Sequence, residues 1–241
     1  MQTVILAGGL GTRLRPITEQ IPKPMVEVNG RPFLEYILRH MAGQGFDRIL
    51  LLVGYLGSQI EAYFGDGSRF GVSIDYSFED RPLGTGGALR QALAKLDNRF
   101  LLLYGDSFLP IDYRQVSNAF SQSAFDGDGL LVVYQNHDND TGVPSNVALN
   151  RGRHVIRYEK GARGSGLGFV DAGALCLRSR VLQEFSLGEA MSLEHVVFPM
   201  LIARHQLDGF ITEQRFFDIG TPERLREFGE TQQLGSFGSR R

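Results

Sequence analysis

Residues 3–25 read TVILAGGLGTRLRPITEQIPKPM, and residues 3–11 of that stretch decide the fold. Thr3–Ala7 is an apolar run without alternation, the pattern of a strand covered on both faces, and it breaks on Gly8, Gly9 and Gly11. A buried strand running into glycines leaves backbone N–H groups exposed beyond its carboxyl end, where open α/β sheets bind their ligands. Prolines at 16, 22 and 24 bar a regular helix, so residues 8–24 are expected as an extended loop.

The same grammar continues outward from this stretch. Pro32–Gln44 carries Phe33, Leu34, Ile37, Leu38 and Met41 at helical spacing, and Gly43 and Gly45 stop it. Strands are expected at Ile49–Val53, Val72–Ser77 and Phe100–Tyr104, with helices at Ser58–Phe64, Gly86–Leu96 and Tyr113–Phe125, the last capped by Asp112. Strands alternating with amphipathic helices imply an α/β fold with a largely parallel sheet and helices on both faces. The second half is richer in strands, at Leu130–Tyr134, Asn146–Leu149, His154–Glu159 and Phe169–Leu177, with helices at Leu193–His205 and from about Pro222.

Composition narrows the class. The 241 residues carry 25 Lys plus Arg against 27 Asp plus Glu, a net charge of −2, which argues against a protein held to nucleic acid by bulk charge. One cysteine, Cys176 in an apolar run, excludes a disulfide framework and multi-cysteine metal sites. No run of about 18 apolar residues and no basic leader occur, so no membrane segment and a cytoplasmic location are expected. No composition break divides the chain, and a single domain over 1–230 with a frayed tail at 231–241 is expected.

The glycine loop fails both named phosphate motifs. It lacks the Lys-Ser/Thr ending of a P-loop, and Leu14 and the prolines break the dinucleotide fingerprint, which disfavours a dinucleotide-dependent oxidoreductase. What remains is a backbone anion nest beside Arg13, Arg15 and Lys23, a combination that suits a triphosphate. Asp106 follows Gly105 at the end of the Phe100–Tyr104 strand, where a cation bridging phosphates would be held. Asp218 sits among apolar neighbours in FFDI, and Thr221 with Pro222 already starts the next helix, so Asp218 needs a partner or a metal. Two carboxylates far apart in sequence suit Mg²⁺, which takes few protein ligands and binds phosphates. The five histidines show no metal spacing, Asp126–Gly129 lacks the remaining ligands of a calcium loop, and His137–Asp140 reads as a hydrated loop.

Leu6–Met25 resembles the signature of the nucleotidyltransferases that activate sugar 1-phosphates, and the resemblance runs over residues 1–228. It implies a Rossmann-like three-layer αβα sandwich on a mostly parallel mixed sheet. It also implies the reaction of an NTP with a sugar 1-phosphate to give an NDP-sugar and pyrophosphate. On that resemblance Leu6, Ala7, Gly8, Gly9, Gly11 and Thr12 wrap the nucleotide, Arg13 grips the β- and γ-phosphates, and Lys23 reaches the α-phosphate and the sugar phosphate. Arg13 and Lys23 are then the catalytic pair, and Asp106 and Asp218 hold Mg²⁺. The second glycine-rich turn, Leu83–Leu89, would line the nucleobase pocket through Gly84 and Gly87, with Glu79 beside it. Asn146, Glu159, Lys160, Asp171 and Gly173 fall where the family meets the sugar and its phosphate, although Gly161 stands where many relatives have proline. GGLGTR and PLGTGG look most like guanylyltransferases for mannose- or heptose-type sugars, which makes GTP the preferred NTP. KPMVEVNG is also similar to glucose-1-phosphate cytidylyltransferases, and parts of 65–77 to small uridylyltransferases, so both stay as alternatives beside a non-catalytic nucleotide-binding homologue. A homo-oligomer stays open.

Overall fold

The computed structural model describes residues 1–122, 125–136, 140–161 and 166–234. β1 (Gln2–Leu6) leads into the glycine loop. That loop is not extended throughout: it winds through three 3₁₀ turns, Thr12–Leu14, Ile17–Glu19 and Lys23–Met25, because a single such turn asks little of its proline neighbours. A small hairpin follows, β2 (Glu27–Val28) and β3 (Arg31–Pro32), turning on Asn29-Gly30, both at positive φ. Such an Asn-Gly pair is a strong hairpin signal that the apolar-pattern reading passed over. Then come α1 (Phe33–Gly43), β4 (Arg48–Val53), α2 (Gly57–Phe64), β5 (Ser73–Phe78), α3 (Gly84–Gln91), β6 (Arg99–Tyr104), β7 (Ser107–Phe108) and α4 (Tyr113–Ser121). Asp112 does cap α4, accepting from the Arg114 N–H at 3.0 Å. The helix stops at Ser121 rather than Phe125, since Gln122 is extended.

The second half runs β8 (Gly129–Gln135), β9 (Val147–Leu149), β10 (Val155–Tyr158), β11 (Phe169–Arg178), α5 (Phe198–Ala203), β12 (Leu207–Thr212), β13 (Phe217–Asp218) and α6 (Pro222–Gln233). The helix expected over Leu193–His205 is divided: a π-helical turn covers Leu193–Val197, and α5 begins afresh at Phe198 with Pro199 in its first turn. Pro199 has no N–H to carry the earlier turn's ladder onward. β12 was not expected at all. Asp208 and Gly209 hide its alternation, and Gly209 is needed because a Cβ there would sit 2.7 Å from Leu149. The tail residues 235–241 and residues 137–139 of the expected hydrated loop lie outside the described residues.

The sheet runs β10-β9-β11-β6-β1-β4-β5, with β8 on β11 and β12 on β8. β5, β4, β1 and β6 are parallel, as are β12 and β8, and β11 is antiparallel to β6, β8 and β9. This is the expected mixed sheet with flanking helices. Successive residues of its central strands feed different cores. Ile5, Leu51, Val53, Leu101 and Leu103 pack with α1, α2 and α4 on one face, while Val4, Leu50, Leu52, Phe100 and Leu102 pack with α3 and α5 on the other. That division is why these strands read as unbroken apolar runs.

Register then places the site. Leu6 lies abreast of Leu52 on one side and Tyr104 on the other, so three strands end level at the carboxyl edge of the sheet. Gly105 donates its N–H to the Leu6 carbonyl at 2.9 Å, and a Cβ on Gly105 would stand 2.7 Å from that oxygen. Only glycine lets the chain bring Asp106 this close to the first loop.

Candidate active site

A cleft of about 280 Å³ opens where these strands end. Leu6, Ala7, Gly8, Gly9, Lys23, Glu79, Gly84, Asp106 and Lys160 line it, so nine expected residues from both halves of the chain meet in one place. Gly11, at φ +61, lies behind the loop, where a Cβ would crowd Lys23 and Thr18, and the Thr18 hydroxyl donates to its carbonyl at 2.8 Å. It shapes the turn that delivers Lys23 rather than touching the cleft. Thr12 begins the next turn and is exposed.

Lys23 is buried, and its Nζ stands 2.5 Å from Asp106 Oδ2, while the Ser107 hydroxyl donates to Oδ1 at 3.3 Å. Burial alone would raise the Asp106 carboxyl, but the Lys23 ammonium, the Ser107 hydroxyl and the charge of Arg13 outweigh it and hold the group below its ordinary value. Asp218 is brought alongside by the pairing of β13 with β7, where it lies opposite Ser107, and the Ile219 N–H donates to the Asp106 carbonyl at 3.0 Å. Its partner is Arg224 from the first turn of α6, at 2.8 and 3.1 Å, and the Gly220 N–H adds a bond of 2.7 Å. Thr221 and Pro222 start that helix as expected. Arg13 closes the group: a Cβ on Gly220 would come 2.6 Å from Asp218 Oδ1 and 3.3 Å from the Arg13 guanidinium. Lys23 and Asp106 therefore line the cleft, and Arg13 and Asp218 stand beside them without lining it themselves.

These two carboxylates, Asp106 just before β7 and Asp218 in β13, offer only oxygen donors, the chemistry of a hard divalent cation that keeps waters and binds phosphates. Among the described residues no cluster of three or more His, Cys, Asp or Glu could hold a metal, so such an ion would lean on this pair and on a bound phosphate.

Beside the first loop Glu79 lies over Gly8 and Gly54, whose hydrogens leave it room: a Cβ on either would sit 2.7 or 2.5 Å from its Oε1. Burial raises its carboxyl, partly offset by the Leu83 N–H that donates to it at 3.1 Å. Gly84 has φ +72 and packs its Cα on the Met191 carbonyl, and Gly87 packs against the Glu189 carbonyl. Gly87 does not line the cleft; its lack of a side chain lets α3 seat against the 189–191 segment.

The expected sugar residues divide. Lys160 enters the cleft. Glu159 does not; its carboxylate pairs with Arg157 on the exposed side of the turn. Asn146 bridges strands, accepting the Asp171 N–H on its side chain at 2.9 Å. Asp171 lies behind the cleft lining, where it takes the Tyr158 hydroxyl and the Gly173 N–H, both at 2.9 Å. Burial pushes Asp171 up to about 6; the Glu194 charge adds to this, and those hydrogen bonds and Lys160 oppose it. Gly173, at φ +76, lets β11 pass Ser107, which a Cβ would meet at 2.9 Å.

Glu194, Thr85 and Tyr104 were missed and all line the cleft. Glu194 hides in a run of apolar helix-like residues, where periodicity marks only its neighbours Leu193 and Val197. A buried carboxylate at that position was the available signal, because such a group demands partners.

Fold and cleft together define a Rossmann-like α/β protein whose glycine-lined cleft opens at the carboxyl edge of its sheet. The chain matches the nucleotidyl transferase family over residues 2–233 and belongs to it, which makes it an enzyme of the nucleotidyltransferase class. Enzymes of this family generally use a divalent metal. The chain is 35% identical to the D-glycero-alpha-D-manno-heptose 1-phosphate guanylyltransferase of Campylobacter jejuni, over 95% of this chain and 98% of that one. It is 31% identical to the mannose-1-phosphate guanylyltransferase of Mycobacterium tuberculosis, over 92% of this chain but 62% of that longer one. In structure it is similar to HddC from Yersinia pseudotuberculosis complexed with GMP-PN, with a TM-score of 0.81, 29% identity and coverage of 96% and 99%. Among the described residues no helix is long and apolar enough to cross a membrane.

Proposed function

We propose that the chain transfers a guanylyl group from GTP to a heptose or mannose 1-phosphate, releasing pyrophosphate, with Mg²⁺ held at Asp106 and Asp218. The observation that carries this reading is the pairing of Lys23 with Asp106 in a cleft that Glu79 and Lys160 also enter, with Arg13 and Asp218 close behind that pair. The guanylyltransferase relatives and the GMP-PN complex of HddC support the choice of nucleotide. So does the Glu79 carboxylate: guanine presents N1–H and N2–H donors side by side, and a carboxylate accepts from both.

The sugar phosphate is already an anion, so its attack needs no general base. The difficulty lies in bringing it against a second anion and in stabilising charge on the α-phosphate and the departing pyrophosphate. Loop N–H groups of Gly8 and Gly9 hold the triphosphate, and Arg13 faces the β- and γ-phosphates. Lys23 moves from Asp106 toward the α-phosphate, and Lys160 grips the sugar phosphate from the other side. When bound, Mg²⁺ would neutralise phosphate charge beside the two aspartates. The side chains thus supply alignment and charge rather than a covalent nucleophile. Cys176, the lone thiol, is fully buried in the sheet and burial raises it, which fits a packing role. A cytoplasmic location and free NTP and sugar 1-phosphate as partners accompany this reading.

A panel of four NTPs against glucose, mannose and heptose 1-phosphates, scored by pyrophosphate release with Mg²⁺, tests it. GTP with a heptose or mannose 1-phosphate should give the highest kcat/KM. A tenfold or larger preference for CTP or UTP would overturn the guanine assignment, and no turnover with any pair would overturn the enzyme reading.

A further inference from the structure

Glu194 makes more hydrogen bonds than any other carboxylate in the cleft, and the count determines what it can do. Oε1 accepts from Lys160 Nζ at 2.8 Å and from the Tyr104 hydroxyl at 3.3 Å; Oε2 accepts from Thr85 at 2.8 Å and Ser192 at 2.6 Å. A carboxylate has about four acceptor sites, so two donors on each oxygen leave none for a sugar hydroxyl. Its side chain is 2% exposed whereas that of Lys160 is 57% exposed. The lysine is thus a long, solvated side chain anchored at its tip by a buried charge. Burial would raise Glu194, but Lys160 and Ser192 lower it to about 2, so it stays ionised wherever the enzyme works. The donors come from four separate places: the turn after β10, the end of β6, the start of α3 and the segment before the π-helical turn. Thr85 is itself fixed, accepting the Leu193 N–H at 2.8 Å.

From this we infer that Glu194 is a positioning residue: it holds the Lys160 ammonium in the cleft, ready for the phosphate of the sugar substrate, and touches no substrate itself. The inference rests on the reading of Lys160 as a phosphate contact. A free lysine tip would have to be ordered anew at each binding event, and Lys160 precedes Gly161, whose φ of +80 gives the turn little side-chain support. The Glu194 carboxylate removes that cost beforehand. Lys160 thus enters the same cleft as Lys23, which the glycine loop delivers by an independent route.

The test uses the full chain, the GTP–sugar 1-phosphate pair that turns over best in the panel above, and three variants: K160A, E194Q and the double variant. E194Q keeps the shape, and the Thr85 and Ser192 hydroxyls can rotate to accept from its amide. K160A and E194Q should each raise the KM for the sugar 1-phosphate by about tenfold or more, the scale of a lost charge-assisted hydrogen bond. The Kd for GTP, read by calorimetry, should stay within about twofold, a separation that a merely structural role would not produce. The double variant should be no worse than K160A, because both changes remove one interaction. E194D, which keeps the charge, should recover part of the loss. If E194Q weakens GTP as much as it weakens the sugar phosphate, or if its effect multiplies with that of K160A, the inference is overturned. A normal KM in K160A would sink the underlying reading of the lysine, whereas an impaired K160A beside a normal E194Q would sink the positioning role alone.

Discussion

The two flanks of the cleft are built on different plans. On the first-loop side the chain itself does the shaping: Gly8, Gly54 and Gly105 are small because Glu79 or the Leu6 carbonyl occupies the space a Cβ would need. On the Lys160 side the work falls to side chains, with Glu194, Tyr104, Thr85 and Ser192 in one network and Asp171, Tyr158 and Asn146 in another. A backbone site tolerates little added volume. A side-chain network tolerates shape change better and is sensitive to charge. The variants below press on that difference.

The largest effect is expected where the two plans meet. Asp106 is placed by a glycine and is proposed to act through its carboxylate, so Asp106→Asn keeps the shape, removes the charge facing Lys23 and discards a proposed Mg²⁺ ligand. Turnover should fall by about a hundredfold to a thousandfold, in line with losing several kcal/mol of transition-state stabilisation. Circular dichroism should show an unchanged fold, and pyrophosphate release provides the reading. Asp218→Asn should cost less, because Arg224 and the Gly220 N–H hold that side chain in place. Wild-type turnover in Asp106→Asn would refute the metal assignment.

On the backbone side, Gly84→Ala and Gly9→Ala should part company. Gly84 sits at φ +72 with the Met191 carbonyl 2.6 Å from where a Cβ would fall, so alanine brings both strain and a clash. A loss of about 2–3 kcal/mol is expected, seen as a drop of roughly 4–10 °C in Tm. At Gly9 a Cβ meets no protein atom within 4 Å, and Gly9 lines the cleft. Its alanine variant should melt within about 2 °C of wild type yet bind GTP more weakly. Equal melting of the two variants would show that shape is not what the second glycine turn supplies.

The same contrast explains what could be read from the chain. Thr3–Ala7, Ile49–Val53 and Phe100–Tyr104 announced themselves because each strand feeds a core on both faces, and such runs need no knowledge of their neighbours. The cleft residues Leu6–Gly9 and Asp106 followed, since they sit next to those runs in sequence. Glu194 did not: its partners lie 34, 90 and 109 positions away, at Lys160, Tyr104 and Thr85, and no local pattern encodes such a meeting. Glu159 misled for the opposite reason. It is adjacent to Lys160 in sequence, but it follows the end of β10 and its carboxylate turns back to Arg157 instead of entering the cleft. β12 escaped because Gly209, required by Leu149, interrupts the pattern that would have marked it.

The smallest effect is expected on the charge of the second network. Asp171 titrates near 6 in the folded chain against an ordinary value of 3.8, chiefly because burial penalises the carboxylate. A pKa raised by folding means that the carboxyl's contribution to stability is whole below about pH 4 and is lost as pH climbs through 6. Asp171→Asn keeps an acceptor for the Gly173 N–H and cannot ionise, so it escapes that loss. Relative to wild type it should gain about 1–3 kcal/mol between pH 4 and pH 7.5, corresponding to a shift of roughly two pKa units. Thermal unfolding of both proteins across that range reads the difference, with the other titrating groups common to the two. A gap in Tm that stays constant with pH would mean that Asp171 is solvated in solution and that the side-chain flank is less enclosed than its hydrogen bonds to Tyr158 and Gly173 imply.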